Sequence, residues 1–328
     1  MENYLFQKIV HKQSGKELDL SFLTEGKLVE TMDLTGPRLM LTFRDPHRYI
    51  SDELNMNECD QLTVTLADAY STDEMSSVME FTVLTRPKVA TTVDIEALHS
   101  IVYNIKVPAA KAKAFVRRGA SSLISHFFPN MQSEIGKFPV IEDYHLLPGD
   151  RASTLLKQFA QEQGGCMFVQ RDKICFKKID DLFKSAKAFV YENNNPKAMY
   201  RIIQYVEPSA KALVEDKVIR NVSGWNETKG WLKSTVNTSA PVLTHPVQSL
   251  STINNASAGL SPVMDFTCAG NGKIKAGDVI EMRWNTQINE RPLDESMPEK
   301  ILVREVLHHY TTQKYYCRVK GVKPIERY

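Results

Sequence analysis

The sequence predicts an α+β, mainly β protein in which two antiparallel β-barrel domains flank a small α+β unit. The first observation is a period of two between apolar residues in the first third of the chain, which returns after Ala186. The second is a helical period of about 3.6 in the stretch between them. These changes of period predict a first β domain at 1–107, the α+β unit at 108–180 and a second β domain at 181–328.

Five alternating runs define the first β domain, and each puts apolar side chains on one face of a strand. The apolar positions are Leu18, Leu20 and Phe22; Leu39, Leu41 and Phe43; Leu62, Val64 and Leu66; Met79, Phe81 and Val83; and Ile101, Tyr103, Ile105 and Val107. Turn dipeptides such as Gly36-Pro37 and Asp45-Pro46 separate the runs. Five strands in about 105 residues predict a barrel or a closed sheet, which leaves no exposed edge.

The middle unit is predicted to contain two helices and a hairpin. The first helix follows from helical spacing, with Val116, Ala120, Leu123, Ile124 and Phe127 before Pro129. Asp150 is the predicted N-cap of the second helix and Gly164 occupies its C′ position. The apolar stripe of that helix is Leu155, Leu156, Phe159 and Ala160. The hairpin runs from Cys166 to Val169 and from Ile174 to Phe176, and turns through Arg171, Asp172 and Lys173.

Six further strands are predicted in the second β domain. They are Tyr200 to Val206, Lys217 to Val222, Val263 to Cys268, Val279 to Trp284, Ile301 to Tyr310 and Tyr315 to Val322. The dipeptide Asn271-Gly272 predicts a tight hairpin because both residues tolerate positive φ. The stretch 237–261 has no periodicity and is predicted to be a long surface loop or arm, of the kind that often contacts a partner.

Composition excludes several classes of protein. The chain has 328 residues, and its 41 Lys and Arg against 39 Asp and Glu give a net charge of +2. This balance argues against a dedicated nucleic-acid binder. No apolar run approaches the length of a membrane span, and the N-terminus has no signal-peptide core, so we expect synthesis in a cytosol without cleaved secretion.

Each candidate for a chemical site has a simpler structural interpretation. The stretch Cys268 to Lys273 does not match the phosphate-loop motif in spacing, and a turn explains it. The pair His308 and His309 lies on a predicted strand, where neighbours point to opposite faces and do not share one metal ion. Asp143, Tyr144 and His145 put an acid near a base, but without a recognisable nucleophile. Asp294 and Glu295 fit a solvated turn.

The cysteines and tryptophans are likewise predicted to be structural. None of the five cysteines, Cys59, Cys166, Cys175, Cys268 and Cys317, forms a C-x-x-C pair. Trp225, Trp231 and Trp284 are interpreted as packing or interface anchors rather than a ligand cage. The sequence therefore predicts no catalytic residue, no cofactor-binding residue and no metal ligand. The alternatives are a hydrolase that uses Asp143 or His145, and a glycan-binding module that uses the tryptophans.

Three stretches together resemble a known family. They are LVETMDLTGPRLMLTFRD (28–45), FPVIEDYHLLPGDRASTLLKQFAQEQGG (138–165) and DFTCAGNGKIKAGDVIEMRW (265–284). Over nearly its full length the chain resembles baseplate hub proteins of contractile-tailed phages. It is similar in plan to the hub part of type VI secretion spike proteins and to phage late-control proteins.

The resemblance implies a function in a virion. It implies a homotrimer in which each chain gives two tube-like β-barrel domains, so that six barrels adapt a six-fold tail tube to a three-fold central spike. The implied partners are a separate spike protein and tube or tube-initiator proteins, with a tape measure protein as a further candidate. The hub is expected to assemble in the bacterial host cytoplasm, to let the genome pass, and to make no sequence-specific nucleic-acid contact and no membrane insertion.

One strand is a candidate for the interface between subunits. Ile301, Leu302 and Val303, followed by Val306 and Leu307, put apolar side chains on both of its faces. A strand of this kind is either buried on both faces or part of an interface.

Overall fold

In a computed structural model, the chain is mainly β with few helices, as the sequence predicts. The structure describes residues 5–67, 77–138, 143–208, 221–234, 241–244, 249–256, 258–286 and 293–325. Among these residues, no helix is long and apolar enough to cross a bilayer.

The first β domain contains eight described strands. They are β1 (Phe6–His11), β2 (Lys16–Glu17), β3 (Leu23–Thr31), β4 (Arg38–Arg44), β5 (Gln61–Leu66), β6 (Ser77–Thr85), β7 (Lys88–Val89) and β8 (Thr92–His99). All but β7 follow one antiparallel path in the order β3-β4-β8-β6-β5-β1-β2, and β7 pairs with β8. The inward residues of β4, β5 and β6 form a buried core, so these three predicted strands are confirmed. The pairings described here do not close a barrel, and the barrel stays a prediction.

Two of the five predicted strands in this domain are wrong. Leu20–Phe22 is a 3-10 helix. Leu18 is buried just before this helix, and Phe22 within it is 40% exposed. The run from Ile101 is helix α1 (Ser100–Lys106), with Val102 and Ile105 buried. Val102 and Ile105 are three residues apart and share one face of the helix. A short β-branched run such as this one fits both the period of a strand and the period of a helix.

The middle unit has the predicted helices and hairpin, except that Val116 lies before the first helix and is exposed. Its elements are β9 (Lys113–Phe115), α2 (Ala120–Phe127), β10 (Gln132–Ile135), β11 (Tyr144–Leu146), α3 (Ala152–Glu162), β12 (Gly165–Gln170), β13 (Lys173–Lys178) and α4 (Ile179–Phe183). The predicted stripe of α3 is buried, and Gly164 has φ +63° after its C-terminus. The N-cap prediction is wrong by one residue. Arg151 occupies that position, and the Asp150 carboxylate accepts a hydrogen bond from the Leu147 amide instead.

The second β domain is built from long strands. Its elements are β14 (Lys187–Asn193), β15 (Ile202–Val206), β16 (Val222–Asn226), β17 (Gly230–Lys233), β18 (Leu243–Thr244), α5 (Leu250–Ala256), β19 (Leu260–Ala269), β20 (Val279–Trp284), β21 (Lys300–Thr311) and β22 (Tyr315–Pro324). Five of the six predicted strands are confirmed with small shifts of their ends. Most of the sixth, 217–220, lies outside the described residues. The predicted arm 237–261 contains β18, α5 and the start of β19, and its other residues are largely outside the described part.

The predicted hairpin at Asn271-Gly272 is wrong. The strands on either side do not pair with each other, because β19 lies between β15 and β22 while β20 lies between β14 and β21. Asn271 is buried and donates from Nδ2 to the Tyr191 hydroxyl at 2.9 Å. The dipeptide therefore belongs to a buried connection between two parts of the sheet.

Strand β21 joins the two β domains into one sheet. It pairs with β3 of the first domain over seven residue pairs and with β20 and β22 of its own domain. Ile301 and Val303 pack into the core of the second domain, whereas Leu302 packs beside Phe168 of the middle unit. Ile301, Leu302, Val303 and Val306 are fully buried within one chain and Leu307 is half-buried, so this strand is not an uncovered interface.

Candidate functional site

The predicted acid–base candidates line a cavity of about 400 Å³ beside β11 and α3. Alternation along β11 buries Tyr144 and Leu146 and leaves His145 exposed. The Tyr144 hydroxyl donates to the buried carboxylate of Glu162, and Gln158 Nε2 donates to the same carboxylate at 2.8 Å. The polar groups at the bottom of the cavity are therefore occupied with each other.

Asp143 and His145 face this cavity from the same strand region but are held separately. The Asp143 carboxylate accepts a hydrogen bond from the Arg117 amide at 2.9 Å. No hydrogen bond joins Asp143 to His145 in the described part of the chain. The backbone thus positions the Asp143 carboxylate. An acid–base pair requires a carboxylate that orients the imidazole, and Asp143 does not orient His145.

The two adjacent histidines point to opposite sides of β21, as predicted. His309 contacts Glu25 and the Tyr316 hydroxyl near the surface. His308 is fully buried, and its Nδ1 lies 2.9 Å from the Tyr315 hydroxyl. The described residues contain no group of three or more ligands that could hold a metal ion.

His308 belongs to a buried cluster that joins all three parts of the chain, which we call the junction cluster: Glu30, Arg171, His308 and Cys317. Arg171 Nη2 lies 2.9 Å from Glu30 Oε1 and donates to the Gly272 carbonyl at 2.9 Å. His308 Nε2 is 3.4 Å from the same Glu30 oxygen, and His308 Nδ1 is 3.4 Å from Cys317 Sγ. The cluster connects β3, the turn of the β12–β13 hairpin and the β21–β22 pair.

The charges of the junction cluster support one another. Burial raises the pKa of Glu30, but Arg171 and then His308 outweigh it, so the net shift is downward. Burial lowers the pKa of His308, but the Cys317 sulfur and Glu30 outweigh it and raise the pKa to about 9. The ionised carboxylate of Glu30 and the cations of Arg171 and His308 are therefore favoured together in a dry interior, where opposite charges stabilise one another.

Sequence reasoning missed this cluster, although one signal was available. Pairing the predicted strands that end and begin near residues 310 and 315 places His308 opposite Cys317. The contribution of Glu30 depends on the β3–β21 pairing, which has no local signal. A thiol, an imidazole and a carboxylate lie in the order of a nucleophilic triad, but all three side chains are 0% exposed. No substrate reaches these side chains in this conformation, so we interpret the cluster as a buried structural connection between the three parts of the chain.

The tryptophans divide into a buried one and an exposed pair. Trp284 is buried and donates from Nε1 to the Pro298 carbonyl at 2.9 Å, as a packing residue. Trp225 and Trp231 lie opposite each other on β16 and β17, with ring centroids 5.6 Å apart. They are 53% and 67% exposed, which suits an interface anchor better than a core residue.

A second exposed apolar region lies along β15, and we call it the apolar edge. It comprises Met199, Ile203 and Val206, which are 80%, 60% and 57% exposed, and Tyr205, which packs partly on Trp284. In the described part of the chain, strand β15 has one ladder partner, β19, and the residue before it, Arg201, makes an isolated bridge with Glu192 of β14. An exposed apolar strand at a sheet edge is a template for another chain.

Comparison by sequence gives no relative, since no protein-family model and no curated protein matches the chain. Comparison by structure gives clear matches. The 43 kDa tail protein of prophage MuSo2 from Shewanella oneidensis is 9% identical, with a TM-score of 0.65 and 98% of each chain covered. The tail protein of Neisseria meningitidis MC58 is 10% identical, with a TM-score of 0.66 and 98% of this chain and 97% of that chain covered.

A third match extends to secretion systems. It is an E. coli component of the type VI secretion system, described as structurally similar to tail proteins of bacteriophage T4. The identity is 9%, the TM-score is 0.53, and 93% of this chain and 74% of that chain are covered. The chain therefore has the fold of phage tail baseplate-like proteins, and the resemblance inferred from the sequence is confirmed at the level of the fold.

Proposed function

We propose that the chain is a structural component of a phage tail baseplate, a trimeric hub between the tail tube and the central spike. The observation that carries the proposal is the match to two tail proteins, from prophage MuSo2 and from Neisseria meningitidis, over nearly the full length of both chains in each match. A match that covers nearly all of both chains supports a shared architecture of the whole chain rather than one shared domain. Fold alone does not fix function, so the surfaces must also suit an assembly.

Two tube-like domains per chain are the first requirement of this proposal. In the second β domain, strands pair in the order β14-β20-β21-β22-β19-β15. An isolated bridge between Glu192 and Arg201, with the Glu192 amide donating to the Tyr200 carbonyl at 3.0 Å, links the beginning and end of that path. The first β domain has six strands along its own path, from β3 to β1. Three chains would thus supply six similar units, which is the number that a six-fold tube needs.

Uncovered apolar surface is the second requirement. The apolar edge and the Trp225–Trp231 pair both expose large apolar side chains on the second β domain. Large exposed apolar residues that cluster mark sites where proteins meet. We assign the apolar edge to contacts between subunits and the tryptophan pair to a spike or tube partner.

The proposal assigns no enzymatic activity to the chain. Asp143 is held by a backbone amide, and the junction cluster is inaccessible. We place the protein in the virion tail after assembly in the host cytoplasm, where its near-neutral charge would let a genome pass without gripping the phosphates.

Co-expression with the spike chain of the same phage tests the proposal. We expect light scattering to give three copies of the 37.2 kDa chain per complex, and imaging to give a closed ring with a channel. Expression without the spike is the matched control for partner-dependent assembly. A chain that stays monomeric with its spike, or forms a two-fold dimer, contradicts the hub function.

A further inference from the structure

Two buried cysteines lie directly opposite each other on neighbouring strands. Cys268 of β19 and Cys317 of β22 are antiparallel partners, and both are 0% exposed in the core of the second β domain. Cys268 Sγ lies 3.6 Å from the Cys317 carbonyl oxygen. Cys317 belongs to the junction cluster, and its pairing with Cys268 extends the cluster to strand β19.

The type of strand pairing gives the separation of the two backbones. The Gly270 amide donates to the Tyr315 carbonyl at 3.1 Å, so these two residues form a hydrogen-bonded pair. Cys268 and Cys317 are two residues further along their strands and form a pair of the same type. The Cα atoms of such a pair are about 5.5 Å apart. Disulfides span Cα separations of roughly 4.4–6.8 Å, so the backbone separation of such a pair lies within the range of a disulfide.

A base lies on the other side of one sulfur. His308 is the partner of Cys317 on β21, with Nδ1 3.4 Å from Sγ, and its Nε2 faces Glu30. The imidazole can therefore hold the proton of the Cys317 thiol while Glu30 stabilises the imidazolium. Burial raises the pKa of Cys317, but its contacts with Cys268 and His308 outweigh burial and bring the pKa well below its usual value.

The second sulfur has the opposite character. The hydrogen bond with Cys317 and then burial raise the pKa of Cys268 well above its usual value, so it stays a thiol. A thiolate beside a thiol is the arrangement in which one sulfur reacts first and the other resolves the product.

We propose that Cys268 and Cys317 are a redox-active pair that peroxide converts into a disulfide between β19 and β22. The Cys317 thiolate attacks one oxygen of hydrogen peroxide, the O–O bond breaks, and hydroxide leaves while Cys317 becomes a sulfenic acid. The Cys268 sulfur then attacks the Cys317 sulfur, the S–O bond breaks, and water leaves as the S–S bond forms. In total two thiols and one peroxide give one disulfide and two waters, so each sulfur loses one electron and peroxide gains two.

The other cysteines lack this setting. Cys59 is exposed and its nearest polar partner is the Tyr103 hydroxyl at 3.5 Å. Burial raises the pKa of Cys175 to about 11, and Phe168 rather than a cysteine lies opposite it. Peroxide is close to water in size, so local opening of the sheet admits it to the buried pair.

Peptide mapping of the full chain tests the proposal. Reduced protein is treated with hydrogen peroxide, digested without reductant and analysed by mass spectrometry. We expect one linked peptide pair that contains Cys268 and Cys317 and has lost two hydrogens. Because the bond closes a long segment of chain, the oxidised protein should unfold about 5 °C higher than the reduced protein.

Three variants serve as controls. Cys175→Ser should form the same link. Cys268→Ser should stop at a sulfenic acid on Cys317, which a cyclic 1,3-dione traps, and should show no rise in unfolding temperature. Cys317→Ser should leave Cys268 unmodified. Free thiols at Cys268 and Cys317 after Cys59 has been oxidised overturn the proposal, as does a link from either cysteine to a third one.

Discussion

Glu30 is fully buried on a strand whose other polar residues are half-buried or exposed. Its carboxylate contacts Arg171 from the middle unit and His308 from the second β domain. A buried charge of this kind adds little net stability, but removing one partner leaves another charge uncompensated in a dry interior. The three parts of the chain are therefore coupled through one carboxylate.

Replacing Arg171 with Ala should lower the free energy of unfolding by about 3–5 kcal/mol, because Glu30 loses its guanidinium partner. Chemical denaturation measures the change. The matched control is Arg318→Ala, which removes an equally short arginine pair, with Asp265, from the surface. We expect less than about 1 kcal/mol there, because solvent screens that pair. Adding Glu30→Gln to Arg171→Ala should recover part of the loss, and equal effects of the two arginine substitutions contradict the coupling.

Asp278 gives a prediction about pH. Burial raises its pKa to about 6, although a hydrogen bond from the Lys275 amide opposes the shift. Between the unfolded value near 3.8 and about 6 the folded chain binds the extra proton, so this group lowers stability as pH rises through that window. Asp278→Asn keeps the acceptor oxygen without the charge. Its free energy of unfolding should exceed that of the wild type by about 1–2 kcal/mol at pH 7.5, and the difference should vanish near pH 4.

Asp172→Asn, at an exposed turn position, is the control for the pH series. It should track the wild type from pH 4 to pH 7.5 in denaturant titrations. A difference between wild type and Asp278→Asn that stays constant over this range would show that charge is not its cause.

At the scale of elements, the connection between β19 and β20 packs against the middle unit. Gly277 has φ +87° in this connection, and a Cβ atom there would lie 2.5 Å from Phe168 Cζ. Gln170 Nε2 donates to the Ala276 carbonyl at 2.7 Å beside it. A glycine is thus needed for both its backbone angle and its lack of a side chain.

Gly277→Ala should lower the free energy of unfolding by about 2–4 kcal/mol, through the angle and the contact together. Gly15 isolates the first effect, since it has φ +67° with open space around it, and Gly15→Ala should cost about 1 kcal/mol. Thermal unfolding compares the two variants. Equal losses would mean that Phe168 moves aside without cost.

The same scale explains where the sequence predicts structure and where it fails. Strands such as β4 and helix α3 carry their own period and were predicted within a few residues. The sequence predicts a strand where helix α1 forms, because its short β-branched run fits two periods. The sequence pattern does not predict strand β3, because Gly26 and Glu30 occupy positions of its buried face where apolar side chains would be expected. The predicted hairpin at Asn271-Gly272 does not form, because residues 187–193 and 315–324, which are distant in sequence, pair with the two strands on either side of it.

At the scale of the whole molecule, β21 makes one sheet of two domains, and this sheet ends at β15. A sheet that continues through both domains keeps them in a fixed relation, as a ring of similar units requires. The sequence indicates Trp225 and Trp231 as packing or interface anchors, but it does not predict the apolar edge. The strand from Ile301, which the sequence predicts as an interface candidate, is covered by the core of its own domain and by the middle unit. The exposed strand at Ile203 has no pattern that marks it as an edge.

The apolar edge gives the last prediction. Replacing both Ile203 and Val206 with Lys should abolish the proposed trimer, because charges on an exposed edge strand oppose pairing with a neighbour. Both side chains are more than half exposed, so the isolated chain should unfold at the same temperature as the wild type. Val116→Lys is the control, since Val116 is 56% exposed but lies on the middle unit, and it should leave the trimer intact. Light scattering of the co-expressed complexes measures the outcome. Trimers that persist with both lysines would exclude the apolar edge from the contact between subunits, whereas loss of trimers in all variants would point to a general defect in assembly.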